Sequence, residues 1–278
     1  MTKGPSAYLF RCMLALGVLA GACVDGPDDD DSADDDDVDG CVVADSGGSG
    51  GAVGASWETV NAWSTDDGPN LPDYEVLVYA PAGLPPGAPL ALLTSNPVPP
   101  DRTQIEQILF EFIGSGLDVW AEEHGFIVAF PVAGVVENSQ LAFRTGLDEE
   151  FLGAAIDAVA ARFSIDRNSV HLFGRSGGGA QAIRLANAHS PRIASIMSLA
   201  GPQPFQTWPS WERPVGGLFV HDEADPVVSR AAVQDTVDMF LDAGAAVETF
   251  FDYTGGHDWD AASIEPRMAE YFARTCIE

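Results

Sequence analysis

From Ser56 onward the apolar residues of this chain fall into two alternating spacings. Residues 58–63 and 74–79 alternate apolar and polar positions, the pattern of half-exposed strands. Residues 90–93 and 126–130 are short unbroken apolar runs bounded by turn residues, the pattern of strands buried on both faces. Between these runs, residues 103–123 place Ile105, Ile108, Leu109, Phe112, Leu117 and Trp120 at helical spacing, interrupted near Gly114 and Gly116, which predicts one broken helix or two short ones. Residues 148–163 open on Asp148, Glu149 and Glu150, acids that suit a helix N-terminus, and carry Phe151, Ala154, Ala155 and Ala158 on one face. Further strands are predicted at 170–173, 193–199, 215–220 and 246–251, and further helices at 178–188, 229–243 and 261–273. This alternation predicts an α/β fold over residues 56–278, a mostly parallel sheet with helices on both faces. Ligands of such sheets bind beyond the carboxyl ends of the strands, so chemistry is sought just after them.

The first 55 residues read differently. Lys3 and Arg11 precede the apolar run at 13–20, and the small residues Gly21 and Ala22 lead into Cys23, so residues 1–23 are expected to be an export signal. Leu19-Ala20-Gly21-Ala22-Cys23 resembles a bacterial lipobox with its leucine one place too far upstream. Acylation of Cys23 would hold the protein at the outer membrane or cell surface as a lipoprotein; an ordinary cleaved signal would make it extracellular. The aspartate runs at 28–31 and 34–37 cannot bury enough apolar surface to fold, and Gly47 to Gly54 add flexibility, so residues 24–55 are expected to be a tether. Losing Cys12 with the signal and Cys23 to lipid leaves Cys41 and Cys276 for one disulfide, with two unpaired thiols as the alternative.

Charge narrows the partners. The chain carries 42 acidic and 13 basic residues, a formal net of −29, and Lys3 is its only lysine. Ten of the acids fall between Asp25 and Asp39, so residues 41–278 retain 32 acids and 11 arginines. A surface of that sign repels nucleic acid and anionic polymers. The aspartate runs lack the Gly-punctuated loop of a calcium site, so a solvated spacer is favoured there over weak calcium binding.

Three strand ends carry candidate chemistry. The strand Val170-His171-Leu172-Phe173 runs into Gly174-Arg175-Ser176-Gly177-Gly178-Gly179 and then a helix, the strand, G-x-S-x-G, helix arrangement that exposes a serine on a sharp turn. Gly174, Gly177 and Gly178 supply room for the turn, and the Gly177 amide with the helix N-terminus can stabilise an oxyanion. A second strand ends in His221-Asp222-Glu223-Ala224-Asp225, where spacing favours Asp225 as the acid that orients a histidine, with Asp222 in reserve. A third ends in Gly255-Gly256-His257-Asp258-Trp259, and His257 is the natural base. The expected catalytic set is therefore Ser176, Asp225 and His257, in the chain order of this fold. The other four histidines read as structural, with His221 bracing the acid loop. Arg175 either attracts an acidic substrate group or pairs with a carboxylate; Trp208, Trp211 and Trp259 either wall an ester pocket or pack inside.

Around these residues the chain resembles the extracellular polyhydroxybutyrate depolymerase and feruloyl esterase group of α/β-hydrolases, from about residue 72 to the C-terminus. The resemblance rests on Trp120-Ala121-Glu122-Glu123-His124-Gly125-Phe126-Ile127-Val128 before Pro131, on Phe163-Ser164-Ile165-Asp166, on His221 four residues before Asp225, and on Gly255-Gly256-His257 with Trp259. It implies an α/β-hydrolase fold and cofactor-free hydrolysis of polyhydroxyalkanoate, feruloyl or acetyl-polysaccharide esters. Relatives carry a His-Gly pair after the third strand, where an amide completes the oxyanion hole. This chain reads Thr94-Ser95-Asn96-Pro97; Asn96 is the expected donor, and the alternative, Pro97 at the donor position, would leave the hole one hydrogen bond short because proline has no amide. The alternatives are a serine peptidase, a dienelactone-type hydrolase, or a surface binding protein on a catalytically weak hydrolase scaffold.

Overall fold

The computed structural model describes residues 41–48, 56–63, 74–94, 116–132, 136–137, 140–141, 147–202 and 211–277. The export signal with Cys23, the aspartate runs, Asn96, Pro97 and Trp208 lie outside the described residues.

Among the described residues ten strands are formed: β1 Ser56–Trp63, β2 Tyr74–Ala80, β3 Ala88–Leu93, β4 Ile127–Val132, β5 Val136–Glu137, β6 Gln140–Leu141, β7 Ile165–Arg175, β8 Ser195–Leu199, β9 Gly216–Val220 and β10 Val247–Phe250. Five helices are described: α1 Leu117–His124, α2 Leu147–Arg162, α3 Gly177–Ala188, α4 Arg230–Asp242 and α5 Ala261–Ala273. Eight strands make one sheet in the order β1-β2-β4-β3-β7-β8-β9-β10, and β5 with β6 forms a separate hairpin. β2 pairs antiparallel with both β1 and β4, and every pairing from β4 to β10 is parallel.

The strand patterns follow from which faces are covered. In β3, Leu90 and Leu92 enter the core on one face while Ala91 and Leu93 enter the core on the other, so the strand reads as an unbroken apolar run. β7, β8 and β9 divide in the same way, with Leu172, Ile196 and Phe219 on the first face and Phe173, Met197 and Val220 on the second. The first face is covered by α2, α3 and α4 through Phe151, Ile156, Ile183, Val233 and Phe240; the second by α1 and α5 through Trp120, Ile264, Met268 and Phe272. Burying each of these large side chains contributes about 1.5–3 kcal/mol. The fold is the mostly parallel α/β sheet with helices on both faces that the alternation predicts.

Residues 41–48, counted with the flexible region on composition, are strapped along the first residues of β7. The Ala44 amide donates to Asp166 at 2.7 Å, the Ser46 amide to the Ile165 carbonyl at 2.9 Å, and the Arg167 amide to the Ala44 carbonyl at 2.9 Å. Asp166 is buried and also accepts from Ser169 Oγ at 2.7 Å. Cys41 is bonded to Cys276, with Cα atoms 5.7 Å apart, as the cysteine count anticipates. Backbone hydrogen bonds to β7, which composition does not show, order this stretch together with the disulfide. Glycine richness describes what a segment is free to do, and here the neighbouring strand removes that freedom.

Candidate active site

Ser176 sits between the end of β7 and the start of α3, at φ 55° and ψ −123°. This conformation costs an L-residue on the order of 1–3 kcal/mol and persists only where the surroundings hold it. Three features hold it. The Ser176 amide donates to the Leu199 carbonyl at 2.7 Å, continuing the parallel ladder one residue past β7. A Cβ on Gly174 would stand 2.5 Å from the Thr94 carbonyl oxygen and 2.6 Å from the Gly178 carbonyl carbon, so only glycine permits the close approach. Thr94, buried at the end of β3, donates its amide to the Phe173 carbonyl at 2.8 Å and places Oγ1 2.8 Å from the Gly178 carbonyl. The Ser176 side chain makes no capping bond to α3, although it stands at the N-cap. The Gly177 amide is the first of that helix, and such amides lack intrahelical acceptors.

A further contact supports the turn and was not read from the sequence. A Cβ on Gly179 would lie 2.5 Å from Ser198 Oγ, and one on Gly201 would lie 2.8 Å from the Gly179 carbonyl carbon. Helix α3 therefore packs onto the end of β8 through two glycines and a serine. Gly201 follows a strand at a distance of 22 residues from Gly179, and no local pattern links them.

His257 and Asp225 meet. His257 Nδ1 lies 2.7 Å from Asp225 Oδ2, with the imidazole 18% exposed and the Asp225 side chain fully buried. Asp225 Oδ1 accepts from the Val227 amide at 2.7 Å and the Val228 amide at 3.0 Å. Burial works to raise the Asp225 pKa, but the hydrogen bonds from Val228, His257 and Val227 outweigh it and hold the carboxyl below its ordinary value. The carboxylate is thus charged and its remaining acceptor sites face His257.

Asp222, the reserve candidate, has another place. Its Oδ1 accepts from the Ala224 amide at 2.8 Å and its Oδ2 from the Gly256 amide at 2.7 Å, while its carbonyl accepts from the Asp225 amide at 3.0 Å. His221 Nε2 lies 2.9 Å from the Val228 carbonyl and 3.9 Å from Asp225 Oδ2, on the inner side of the same loop, which it braces.

The loop that carries His257 is shaped by glycine and tyrosine. A Cβ on Gly255 would fall 2.0 Å from the Tyr253 hydroxyl oxygen, and Gly256 has φ +65°. The buried Tyr253 hydroxyl donates to the Asp258 carbonyl and accepts from the Asp260 amide at 3.0 Å, closing the loop across His257. Desolvation raises the Tyr253 pKa, so the hydroxyl stays protonated and can donate. Tyr253 was not singled out in the sequence, although its position two residues before the Gly-Gly pair is the available signal.

The remaining candidates divide. Arg175 pairs with Asp258, Nη1 to Oδ1 at 3.3 Å, so an ion pair joins the residue before the serine to the residue after the histidine. Trp259 is half-buried, packs on Phe173 with ring centroids 6.0 Å apart, and donates its indole N–H to Glu265 at 3.2 Å. Trp211 packs edge-on against Phe240 in the core of the other sheet face. Trp211 and Trp259 therefore do not form one wall, because the loop before β9 and the loop after β10 pack them into the clusters on opposite faces of the sheet.

A second histidine and serine also touch. His171 Nδ1 lies 2.9 Å from Ser195 Oγ, which in turn lies 2.9 Å from Thr275 Oγ1. Both are fully buried, the imidazole is stacked on Phe272 with centroids 4.4 Å apart, and burial pushes its pKa down to about 3. This is a neutral packing pair at the amino end of β8, away from the carboxyl ends of the strands. Among the described residues no group of three or more His, Cys, Asp or Glu side chains is arranged to hold a metal ion.

No protein-family model matches the chain. The bifunctional acetylxylan esterase/xylanase XynS20E of Neocallimastix patriciarum is 26% identical over 196 residues, 70% of this chain and 27% of that protein. NocK of Nocardia uniformis subsp. tsuyamanensis is 31% identical over 123 residues, 41% of this chain and 35% of that protein. The chain thus matches about a quarter to a third of the length of these relatives. Among solved structures, an S-formylglutathione hydrolase from Agrobacterium tumefaciens superposes with a TM-score of 0.59 at 13% identity, over 80% of this chain and 96% of its own. A dienelactone hydrolase-like promiscuous phosphotriesterase from metagenomic libraries gives 0.57 at 16% identity, over 80% of this chain and all of its own. At such identities the likeness speaks for architecture, and together with the strand order and the serine turn it makes this chain an α/β-hydrolase-fold protein.

Proposed function

We propose that this chain is a serine carboxylic-ester hydrolase in which Ser176 attacks the ester carbonyl, His257 takes its proton and Asp225 holds the imidazole. The observation that carries this reading is the 2.7 Å bond between His257 Nδ1 and the buried Asp225 carboxylate, both on loops that follow strands of the sheet bearing Ser176. With Nδ1–H donated to Asp225, Nε2 is left as the acceptor that a general base needs. The tetrahedral oxyanion would be met by the Gly177 amide and by the amide of Asn96, two residues along the chain from Thr94, which itself bonds the Phe173 and Gly178 carbonyls. The alkoxide leaves with the proton from His257, an acyl-Ser176 forms, and a water activated by the same imidazole releases the acid.

For the substrate, the residue resemblance and the acetylxylan esterase relative together favour acetyl, feruloyl or hydroxyalkanoate esters, with Trp259, Trp208 and Arg175 on the acyl or alcohol side. Acylation of Cys23 would keep such an enzyme at the outer membrane or cell surface on its acidic tether. Labelling of the purified protein with a fluorophosphonate tests the chemistry: the probe reacts with wild type and not with Ser176→Ala, and equal hydrolysis of p-nitrophenyl acetate by the two would refute it. A panel of p-nitrophenyl, feruloyl, acetylxylan and hydroxybutyrate esters then ranks the substrates.

A further inference from the structure

The catalytic reading assigns no role to Asp222, yet this carboxylate is buried and accepts two backbone hydrogen bonds from two different loops. A carboxylate placed out of water needs such partners, and their choice is informative. One partner, Ala224, lies within the acid loop itself. The other, Gly256, belongs to the loop after β10 and immediately precedes His257. Since the Asp222 carbonyl also accepts from the Asp225 amide, the four residues form a closed ring: Asp222 to Asp225 by backbone, Asp225 to His257 by side chains, His257 to Gly256 by the chain, and Gly256 back to Asp222. The hydrogen bond between His257 and Asp225 fixes one ring nitrogen but leaves the imidazole able to swing with its loop. Gly256, at φ +65° and with nothing within 4 Å of where a Cβ would stand, adds freedom at that point. The bond to Asp222 removes it.

We infer that Asp222 is a positioning residue for His257, acting through the Gly256 amide so that the imidazole reaches Ser176 in one orientation. This inference rests on the proposed serine-hydrolase reading. The carboxylate touches neither the serine nor a reacting atom; its effect is on the fraction of the time that His257 Nε2 stands where a proton can pass.

The test is Asp222→Ala in the full chain, read by kcat and KM on p-nitrophenyl acetate, alone and in a His257→Ala background. Loss of orientation is expected to lower kcat by about ten- to a hundredfold, with KM within about twofold of wild type. In the His257→Ala background the substitution should change residual turnover by less than about twofold, because the two act as a unit. In proton NMR, the low-field resonance of the His257 Nδ1 hydrogen bonded to Asp225 should broaden or vanish in Asp222→Ala. A kcat within twofold of wild type, a loss carried by KM alone, or an undiminished loss in the His257→Ala background overturns the inference. Asp222→Asn keeps the volume and one acceptor; if the alanine variant does not fold, a kcat loss of about threefold or more in Asp222→Asn at unchanged KM supports the role, and none overturns it. If wild type neither turns over esters nor reacts with a fluorophosphonate, the hydrolase reading fails, while the NMR resonance still shows whether Asp222 holds His257.

Discussion

Asp225→Asn isolates the charge and tautomer function of the acid with almost no change in shape, and its outcome follows from three contacts. Asp225 Oδ1 accepts two backbone amides, from Val227 and Val228, and Oδ2 accepts from His257. An asparagine has one oxygen and one NH2 to place on these sites. Turning the NH2 toward Val227 and Val228 would leave two amide donors facing donors, at about 1–3 kcal/mol each, or about 2–6 kcal/mol in all. The oxygen therefore stays on the amides, and the NH2 replaces Oδ2, 2.7 Å from His257 Nδ1. Nδ1 must then accept, Nε2 carries the proton, and the imidazole cannot take the Ser176 proton. In serine hydrolases this inversion of tautomer lowers kcat by about 10⁴, which corresponds to about 5.5 kcal/mol of barrier. The assay is kcat on p-nitrophenyl acetate at pH 7, with a thermal melt to show that the protein remains folded. A variant within tenfold of wild type, or a larger loss from Asp222→Asn than from Asp225→Asn, would refute the assignment.

Three other outcomes are expected. Reducing the Cys41–Cys276 bond, which spans 235 residues, removes a constraint on the unfolded chain nominally worth about 5 kcal/mol and should lower the melting midpoint by about 10 °C; an unchanged midpoint with both thiols alkylated would contradict it. Gly174→Ala should destabilise by about 1–3 kcal/mol and abolish fluorophosphonate labelling, because the three atoms that meet the new Cβ are all backbone; full labelling would show that the turn yields. Burial raises the Glu265 pKa, against the bond from Trp259, with Glu123 and Asp118 adding to the rise. A raised carboxyl favours the fold below its unfolded pKa and loses that advantage as pH climbs through the folded value, so Glu265→Gln should raise the midpoint at pH 7 and not at pH 4; equal shifts at both would refute the burial argument.

Much of the fold was legible because parallel strands covered on both faces write themselves as short apolar runs. The run at 90–93 became β3, 126–130 anticipated β4 and 215–220 became β9, since each of these strands has a helix layer on either side to exclude water. The serine turn was legible for a similar reason: a strained conformation between strand and helix demands a small neighbour at a fixed offset, and Gly174 is local. Asp225 and His257 were legible because each follows a strand closely, where the sheet itself carries them to one end.

What the chain could not state locally was decided by contacts between distant segments. Composition reads residues 41–48 as loose, but β7 offers them unpaired backbone and Cys276 offers a covalent partner, and both lie more than a hundred residues away. Trp211 and Trp259 look alike in sequence, and only the packing of their loops, one before β9 and one after β10, sends them to opposite faces of the sheet. Asp222 and Asp225 are two carboxylates three residues apart in one loop, and what separates their roles is which groups of the neighbouring loop come within hydrogen-bonding distance: an imidazole for one, the Gly256 amide for the other. The sequence by itself determined the order of strands along the chain and the kinds of side chain delivered to their ends. The tertiary structure decided which of those side chains meet, because a hydrogen bond between loops depends on the packing of two strands and the turn of a glycine, and neither is a property of one segment alone.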